Sequence, residues 1–258
     1  MPVDHNGVVI TSSANPRIAA VTRLRKRRHR DRTGTFLIDS GREIARAHAS
    51  GVEIVEIYGP PDADPGLRSF QAVRGPALEK LTYGERTDGL VAVARTPDVS
   101  LDRVHLGLAP FLLVAIDIEK PGNLGAILRT ADAVGADAVI LNDGGTDPWN
   151  PNVIRSSTGA VFTMTVAVAT DAAIRNWLDK HSIDALTTSP SAPVSIWNAT
   201  IPDGVAVVVG AEDKGLGSEW LHHRRSPVSI PMWGAVDSLN TSVAAAVVLY
   251  EVARRRQG

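Results

Sequence analysis

The sequence predicts an α/β protein in two parts, a larger domain built on a mostly parallel sheet and a smaller α/β module before it. Three observations carry this reading. Short runs in the second part of the chain are wholly or largely apolar, as strands covered on both faces are. Helical stretches separate those runs, which is the alternation of a parallel sheet. In the first part, shorter strand and helix candidates alternate between turn signals, and with 258 residues, 44% of them hydrophobic, the chain can fill two cores.

Taken in order, Thr22–Arg32 (TRLRKRRHRDR) begins as a helix with few apolar positions beyond Val21 and Leu24. Phe36-Leu37-Ile38 is a buried-strand candidate, and a helix through Ile44-Ala45 and Ala47-His48 ends at Gly51. Val52–Tyr58 alternates polar and apolar residues, a half-buried strand closed by Gly59-Pro60-Pro61. A short helix near Ala77–Leu81 and a strand over Leu90–Ala94 complete the first module. Thr96–Leu108 has linker composition, so the expected division is 1–95, a linker at 96–108, and a second domain at 109–258. In that domain Phe111–Ile116, Ala138–Leu141, Met164–Val168, Asp184–Thr187 and Val205–Val209 are the strand candidates, with Asp171–His181 and Val243–Arg256 among the helices.

The formal net charge of −1 argues at face value against a nucleic-acid partner. Its distribution reverses that argument. Residues 1–100 carry 15 Lys and Arg against 12 Asp and Glu, whereas residues 101–258 carry 12 against 16. Seven of the ten positions from Arg23 to Arg32 are basic: Arg23, Arg25, Lys26, Arg27, Arg28, Arg30 and Arg32. A solvated helix face is one explanation, but so dense a run with no acidic counterpart after it fits a phosphate-binding surface.

Cysteine is absent, which excludes disulfides, thiolate metal ligands and cysteine nucleophiles and fits a reducing compartment. The opening MPVDHNGVVITSS has too short an apolar run for a secretory signal, and no stretch reaches the ~18 apolar residues of a membrane span. A soluble cytoplasmic protein without a metal site is the expectation.

Four segments place polar donors and glycines at the ends of predicted strands. After Asp117 a Pro121-Gly122 turn leads to Asn123 at an expected helix N-cap, with Leu124, Ile127, Leu128 and Ala131 on one face and Arg129 on another. Such an Arg can reach the cleft where α/β sheets bind ligands. Trp149–Phe162 holds Arg155, Ser156, Ser157 and Thr158 beside Gly159, either phosphate donors or an ordinary helix start. Val205–Gly217 runs from a buried strand straight into Gly210, then Glu212 and Gly215-Leu216-Gly217. That spacing is not the dinucleotide fingerprint, and Glu212 with Asp213 suits a ligand with a positive centre better than a pyrophosphate. In Val228–Tyr250 the strand ends at Pro231, and Ser238-Leu239-Asn240 precede a helix.

Together, N-x-G-A-I-x-R-T-A (Asn123 to Ala131), V-x-G-x-E-x-x-G-L (Val208 to Leu216) and I-P-M…S-L-N-x-S-x-A (Ile230 to Ala244) resemble the three motifs of the SpoU branch of the SPOUT methyltransferases. Asn15-Pro16-Arg17, the basic helix, Phe36-Leu37-Ile38-Asp39 and Gly51 resemble that family's N-terminal RNA-binding extension, so the resemblance covers nearly the whole chain. Asp39-Ser40 departs from the Glu-Gly of many relatives without touching the catalytic assignment. The closer likeness is to ribosomal RNA methyltransferases, including the thiostrepton- and avilamycin-resistance group.

The resemblance implies a C-terminal SPOUT domain with a deep trefoil knot, a homodimer formed through that domain, and methyl transfer from S-adenosyl-L-methionine to a ribose 2′-hydroxyl of RNA, most simply large-subunit ribosomal RNA. Onto matching positions it carries Arg129, Asn123, Glu212, Ser238 and Asn240 as the catalytic set. It carries Thr188, Ser189, Gly210, Gly215, Ile230, Met232 and Leu239 as the cofactor site, with Thr187 in the same turn. The basic residues Arg23 to Arg32 and Arg155 would hold RNA. A tRNA 2′-O-methyltransferase, a SPOUT-like RNA-binding protein without activity, and a Rossmann-type nucleotide enzyme are the competing readings.

Overall fold

The computed structural model describes residues 9–63, 65, 69–82, 88–220 and 224–257. Asn15 starts the first helix, α1 (Pro16–Arg23), by accepting from the Arg17 backbone N–H at 2.9 Å, with Pro16 at the first position, where its missing N–H costs nothing. Ile18 and Val21 face inward from α1, and Leu24 follows them into the same core. The predicted continuous basic helix is therefore broken. The chain turns at Leu24–Lys26 and restarts as α2 (Arg27–Thr33), which ends at Gly34 in the left-handed conformation with φ of 61°.

The chain continues through β1 (Thr35–Ile38), α3 (Gly41–Ala49), β2 (Ile54–Gly59), β3 (Phe70–Ala72), α4 (Pro76–Leu81) and β4 (Val91–Arg95). These strands form a four-stranded sheet in the order β1-β4-β2-β3. β4 runs antiparallel to both β1 and β2, and β3 lies parallel to β2. β3 has three residues and no periodicity to announce it, so the sequence reading passes over it.

Beyond Pro97 come β5 (Phe111–Ala115), α5 (Pro121–Ala133), β6 (Ala138–Asn142), α6 (Pro151–Ser156), α7 (Ala160–Thr163), β7 (Val166–Ala169), α8 (Asp171–Lys180), β8 (Asp184–Thr188), β9 (Val194–Ser195), β10 (Val205–Val209), β11 (Arg225–Ser229) and α9 (Thr241–Gln257). Seven strands form a second sheet in the order β7-β6-β5-β10-β8-β11-β9, with every neighbouring pair parallel. β5, β6 and β10 are buried at every position, which is why they read as unbroken apolar runs. The order reverses between β5 and β10. Connections from β5 run one way to β6 and β7, while β10 is flanked on its other side by β8 and β11, so a ligand crevice is expected beyond their carboxyl ends.

Contacts divide the chain into two units, one drawing on residues up to Pro97 and on Trp149–Thr163, the other on Asp98–Pro148 and on the chain from Met164 onward. This differs from a cut at a linker over 96–108. Val104 is part of the second unit's core, with Leu101 and Leu106 packed against it. Conversely, the 149–163 segment joins the first unit through apolar stacking. The Phe36 ring lies 4.8 Å from that of Trp149 and 6.1 Å from that of Phe162.

Candidate active site

The second unit gathers three of the four motif segments at one edge of its sheet. β5 leads through Asp117 into α5. Asn123 does not cap that helix as expected: Lys120 occupies the cap position, Pro121 the first helical position, and Asn123 the end of the first turn. β10 opens into Gly210, which a side chain could not replace. A Cβ there would lie 2.4 Å from both the carbonyl carbon and the oxygen of Gly215, because the 211–215 turn folds back with the Gly215 N–H donating to the Ala211 carbonyl at 3.0 Å. Gly215 itself takes a φ of 64°. From β11 the chain passes Ile230 and Met232 to Ser238-Leu239-Asn240, and Asn240 caps α9 by accepting from the Ser242 backbone N–H at 3.0 Å and the Ser242 hydroxyl at 2.7 Å.

These turns enclose a cavity of about 750 Å³. Thr188, Ser189, Gly210 and Gly215 line it, as do Ile230, Met232 and Leu239. Glu212 and Ser238 stand on the same wall. Thr187, also in the lining, is almost fully buried, and its hydroxyl has no hydrogen-bond partner among the described residues. A buried hydroxyl without a partner in a residue that lines a cavity calls for an explanation, and a small shift on ligand binding could give it one. Thr188, beside it, is spent internally on the Val208 carbonyl at 3.1 Å.

A smaller cleft of about 320 Å³ lies against the first and shares Ala211, Glu212, Asp213 and Thr241 with it. Asp117, Glu119, Lys120 and Asn123 complete its polar lining. Glu212 is the hinge of the arrangement. One carboxylate oxygen pairs with the Lys120 ammonium, and the other accepts from the Asn240 amide at 3.3 Å. The same amide donates to the Asn123 carbonyl oxygen at 3.1 Å. The hydrogen bond and charge of Lys120 hold the Glu212 carboxyl below its ordinary range, and Glu212 in turn raises the ammonium. The sequence reading found Asn123, Glu212 and Asn240 but missed Lys120, whose partner lies 92 residues away.

Arg129 is placed differently from its motif companions. Its side chain is exposed on α5, lines neither cavity, and forms no hydrogen bond or ion pair with Asn123 or Glu212. Within one chain the structure therefore brings Asn123, Glu212 and Asn240 together and leaves Arg129 outside.

The basic run of the first unit is also sorted by the fold. Arg23, Lys26, Arg27, Arg28 and Arg32 are exposed. Arg30 is only 3% exposed and donates to the Leu24 carbonyl at 2.7 Å, so it braces the turn between α1 and α2 and drops out of the surface stripe. Arg25 reaches the carbonyls of Lys80, Leu81 and Thr82 at the end of α4, which spends much of its donor capacity on the fold. Arg155 pairs with the buried Asp39 carboxylate, so its charge is neutralised inside the unit. Ser156 and Ser157, read as phosphate donors, instead bond carbonyls of their own helix at 2.6 and 3.0 Å. Burial raises the Asp39 carboxyl and Arg155 opposes that shift.

With this geometry in place, comparisons with known proteins are decisive. Residues 110–250 match the SpoU rRNA Methylase family, and residues 15–92 match the MRM3-like substrate binding domain. The chain is 27% identical over 249 residues to the 23S rRNA (guanosine(2553)-2′-O)-methyltransferase RlmP of Bacillus subtilis (strain 168), covering 94% of this chain and 98% of that protein. It superimposes on the crystal structure of an RNA 2′-O ribose methyltransferase with a TM-score of 0.83 at 40% identity, over 97% of this chain and 99% of the other. The SpoU methyltransferase AviRb from Streptomyces viridochromogenes, solved with the cofactor AdoMet, aligns with a TM-score of 0.87 at 27% identity, over 95% and 99% of the two chains. The chain belongs to the SpoU rRNA Methylase family.

Proposed function

We propose that this protein transfers the methyl group of S-adenosylmethionine to a ribose 2′-hydroxyl of large-subunit ribosomal RNA. The observation that carries the reading is the 750 Å³ cavity, walled by the turns after β8, β10 and β11, with Glu212 and Thr187 in its lining. The donor set fits an adenosine-bearing cation: a buried hydroxyl, backbone at Gly210, Ile230 and Leu239, and carboxylates at Glu212 and Asp213 in place of phosphate-binding bases. When bound, the cofactor would supply an electrophilic sulfonium methyl for the ribose 2′-oxygen. RlmP by its name acts on 23S ribosomal RNA, which favours that substrate over tRNA.

The chain's residues then orient the acceptor and assist loss of its proton. Asn240 fixes the positions of Asn123 and Glu212 through one amide, while Ser238 lines the cavity wall. Arg129 acts on the ribose and its phosphate, as a clamp that stabilises the developing alkoxide or as the proton acceptor. The first role is favoured because a guanidinium carries five N–H donors and no acceptor. The exposed residues of the Arg23–Arg32 run bind RNA phosphates non-specifically.

A homodimer and a deep trefoil knot belong to the same reading. Support for the dimer lies on α9, where Val243 and Tyr250 are 47% and 56% exposed on one face. α9 packs against α5, the helix that carries Arg129. No described helix is long and apolar enough to cross a membrane, consistent with work on RNA in the cytoplasm.

Calorimetric titration with S-adenosylmethionine and with NAD, followed by labelled-methyl transfer to 23S rRNA and tRNA with nucleotide mapping, tests the proposal. Binding of the first ligand only, and label at one ribose of 23S rRNA, is the expected result. Arg129→Ala should bind the cofactor nearly as wild type and lose methyl transfer. Normal transfer by that variant would remove both roles given to Arg129.

A further inference from the structure

The smaller cleft carries an inference that rests on the methyl-transfer reading and deepens it. Its walls hold the carboxylates Asp117, Glu119, Glu212 and Asp213, and Lys120 is the one cationic side chain in its lining. A polyanionic strand entering here meets repulsion everywhere except at Lys120. Yet Lys120 is already paired with Glu212.

The two oxygens of Glu212 are held by partners of different character. The Asn240 amide is fixed from both sides, because its own oxygen caps α9 and its nitrogen also serves Asn123. The Lys120 side chain is 68% exposed, carried on a flexible four-carbon stem, and its ammonium is bound to Glu212 alone among the described residues. An exposed ion pair of this kind is worth little on its own and exchanges readily for a better anion. Glu212 also lines both the small cleft and the large cavity, so the carboxylate that Lys120 covers lies where the two meet.

We propose that Lys120 is an acceptor-positioning residue that exchanges its ion pair with Glu212 for a phosphate of the RNA strand, so that arrival of the strand uncovers the Glu212 carboxylate at the cofactor cavity. In the absence of RNA the pair keeps the Glu212 carboxylate neutralised. With RNA in place the ammonium neutralises a backbone phosphate instead, and the freed oxygen is available to the ribose hydroxyl. No covalent change is involved, only a change of partner.

The exchange makes an unusual demand on binding. Glu212 competes with RNA for Lys120, so removing the Glu212 charge must tighten RNA binding even as it abolishes transfer. The experiment uses the full chain and the 23S rRNA fragment that the wild-type protein methylates. Glu212→Gln should bind that fragment several-fold more tightly than wild type, and the gain should vanish in Glu212→Gln/Lys120→Met. Lys120→Met alone should raise KM for RNA about tenfold, leave KM for S-adenosylmethionine unchanged, and reduce the slope of log Kd against log salt by about 0.7 to 0.9. Lys120→Arg should restore KM and slope, which separates a charge role from damage to the fold. Unchanged KM and slope in Lys120→Met, or no tightening in Glu212→Gln, would overturn the exchange while leaving the methyltransferase reading intact. Failure of the wild-type protein to methylate any rRNA would overturn both.

Discussion

The side-chain amide of Asn240 donates to the Asn123 carbonyl oxygen at 3.1 Å across 117 residues of chain, and the same nitrogen reaches Glu212 at 3.3 Å. One amide thus joins all three motifs while its oxygen caps α9. Asn240→Ser retains a capping hydroxyl and removes the bridging donor, so melting should change little while kcat falls about 100-fold, the usual scale for a lost, preorganised donor. Asn240→Ala should lose the same activity and about 1 kcal/mol of stability besides. Thermal melts and single-turnover transfer on the two variants distinguish bridge from cap; equal activity of Asn240→Ser and wild type would refute the bridge.

Gly210 meets the backbone of Gly215 so closely that Gly210→Ala must displace the whole 211–215 turn. The expected cost is about 1 to 3 kcal/mol, the range for overpacking, together with loss of detectable cofactor binding by calorimetry. Gly107→Ala, where a Cβ meets nothing within 4 Å, is the matched control and should bind normally.

On the first unit, exposure separates two kinds of arginine. Replacing Arg23, Arg27 and Arg28 together by Gln should weaken RNA binding and lower the salt slope by about 2, because each contributes about 0.7 to 0.9. Arg30→Gln should instead leave the slope alone and lower the melting temperature, because it removes the buried donor to Leu24. A salt slope unchanged by the triple replacement would return the exposed run to an ordinary solvated face.

Glu251 supplies the clearest pH dependence. It is 9% exposed on α9, and Arg254 and Arg255 donate to both of its oxygens at 2.6 to 2.9 Å, which holds its carboxyl at about 2 against an ordinary 4.5. Arg255 also donates to the Ala199 and Ile196 carbonyls at 2.6 and 3.0 Å, so the cluster ties α9 to the segment after β9. A depressed carboxyl contributes stability above its unfolded value and loses it as pH falls through the folded value. Wild type should therefore exceed Glu251→Gln by about 1 to 2 kcal/mol above pH ~5, discounted because Arg254 is exposed, and the gap should close toward pH ~2. Denaturant titrations of both proteins from neutral to acid pH measure it; a gap independent of pH would assign the difference to packing.

Much of the molecule was determined by the sequence alone. The buried runs of β5, β6 and β10, the alternation with helices and the three spaced motifs follow from local pattern, because a strand covered on both faces must be apolar at every position. Most of the residues that line the large cavity were legible for a related reason: they follow strand ends closely, where parallel sheets bind ligands, whereas Ser238 and Leu239 lie farther along the chain. What the tertiary structure alone decided is which polar groups meet. Placing β10 beside β5 brings Glu212 to Lys120, and the return of α9 brings Asn240 to both Glu212 and Asn123. The 149–163 segment joins the first unit and neutralises Arg155 with Asp39. The turn at Leu24 buries Arg30 and Arg25 is drawn to the carbonyls at the end of α4, so a basic run legible as seven charges became five exposed ones. Periodicity records which side of a strand or helix is buried; it does not record strand order, and long-range pairing of side chains depends on strand order.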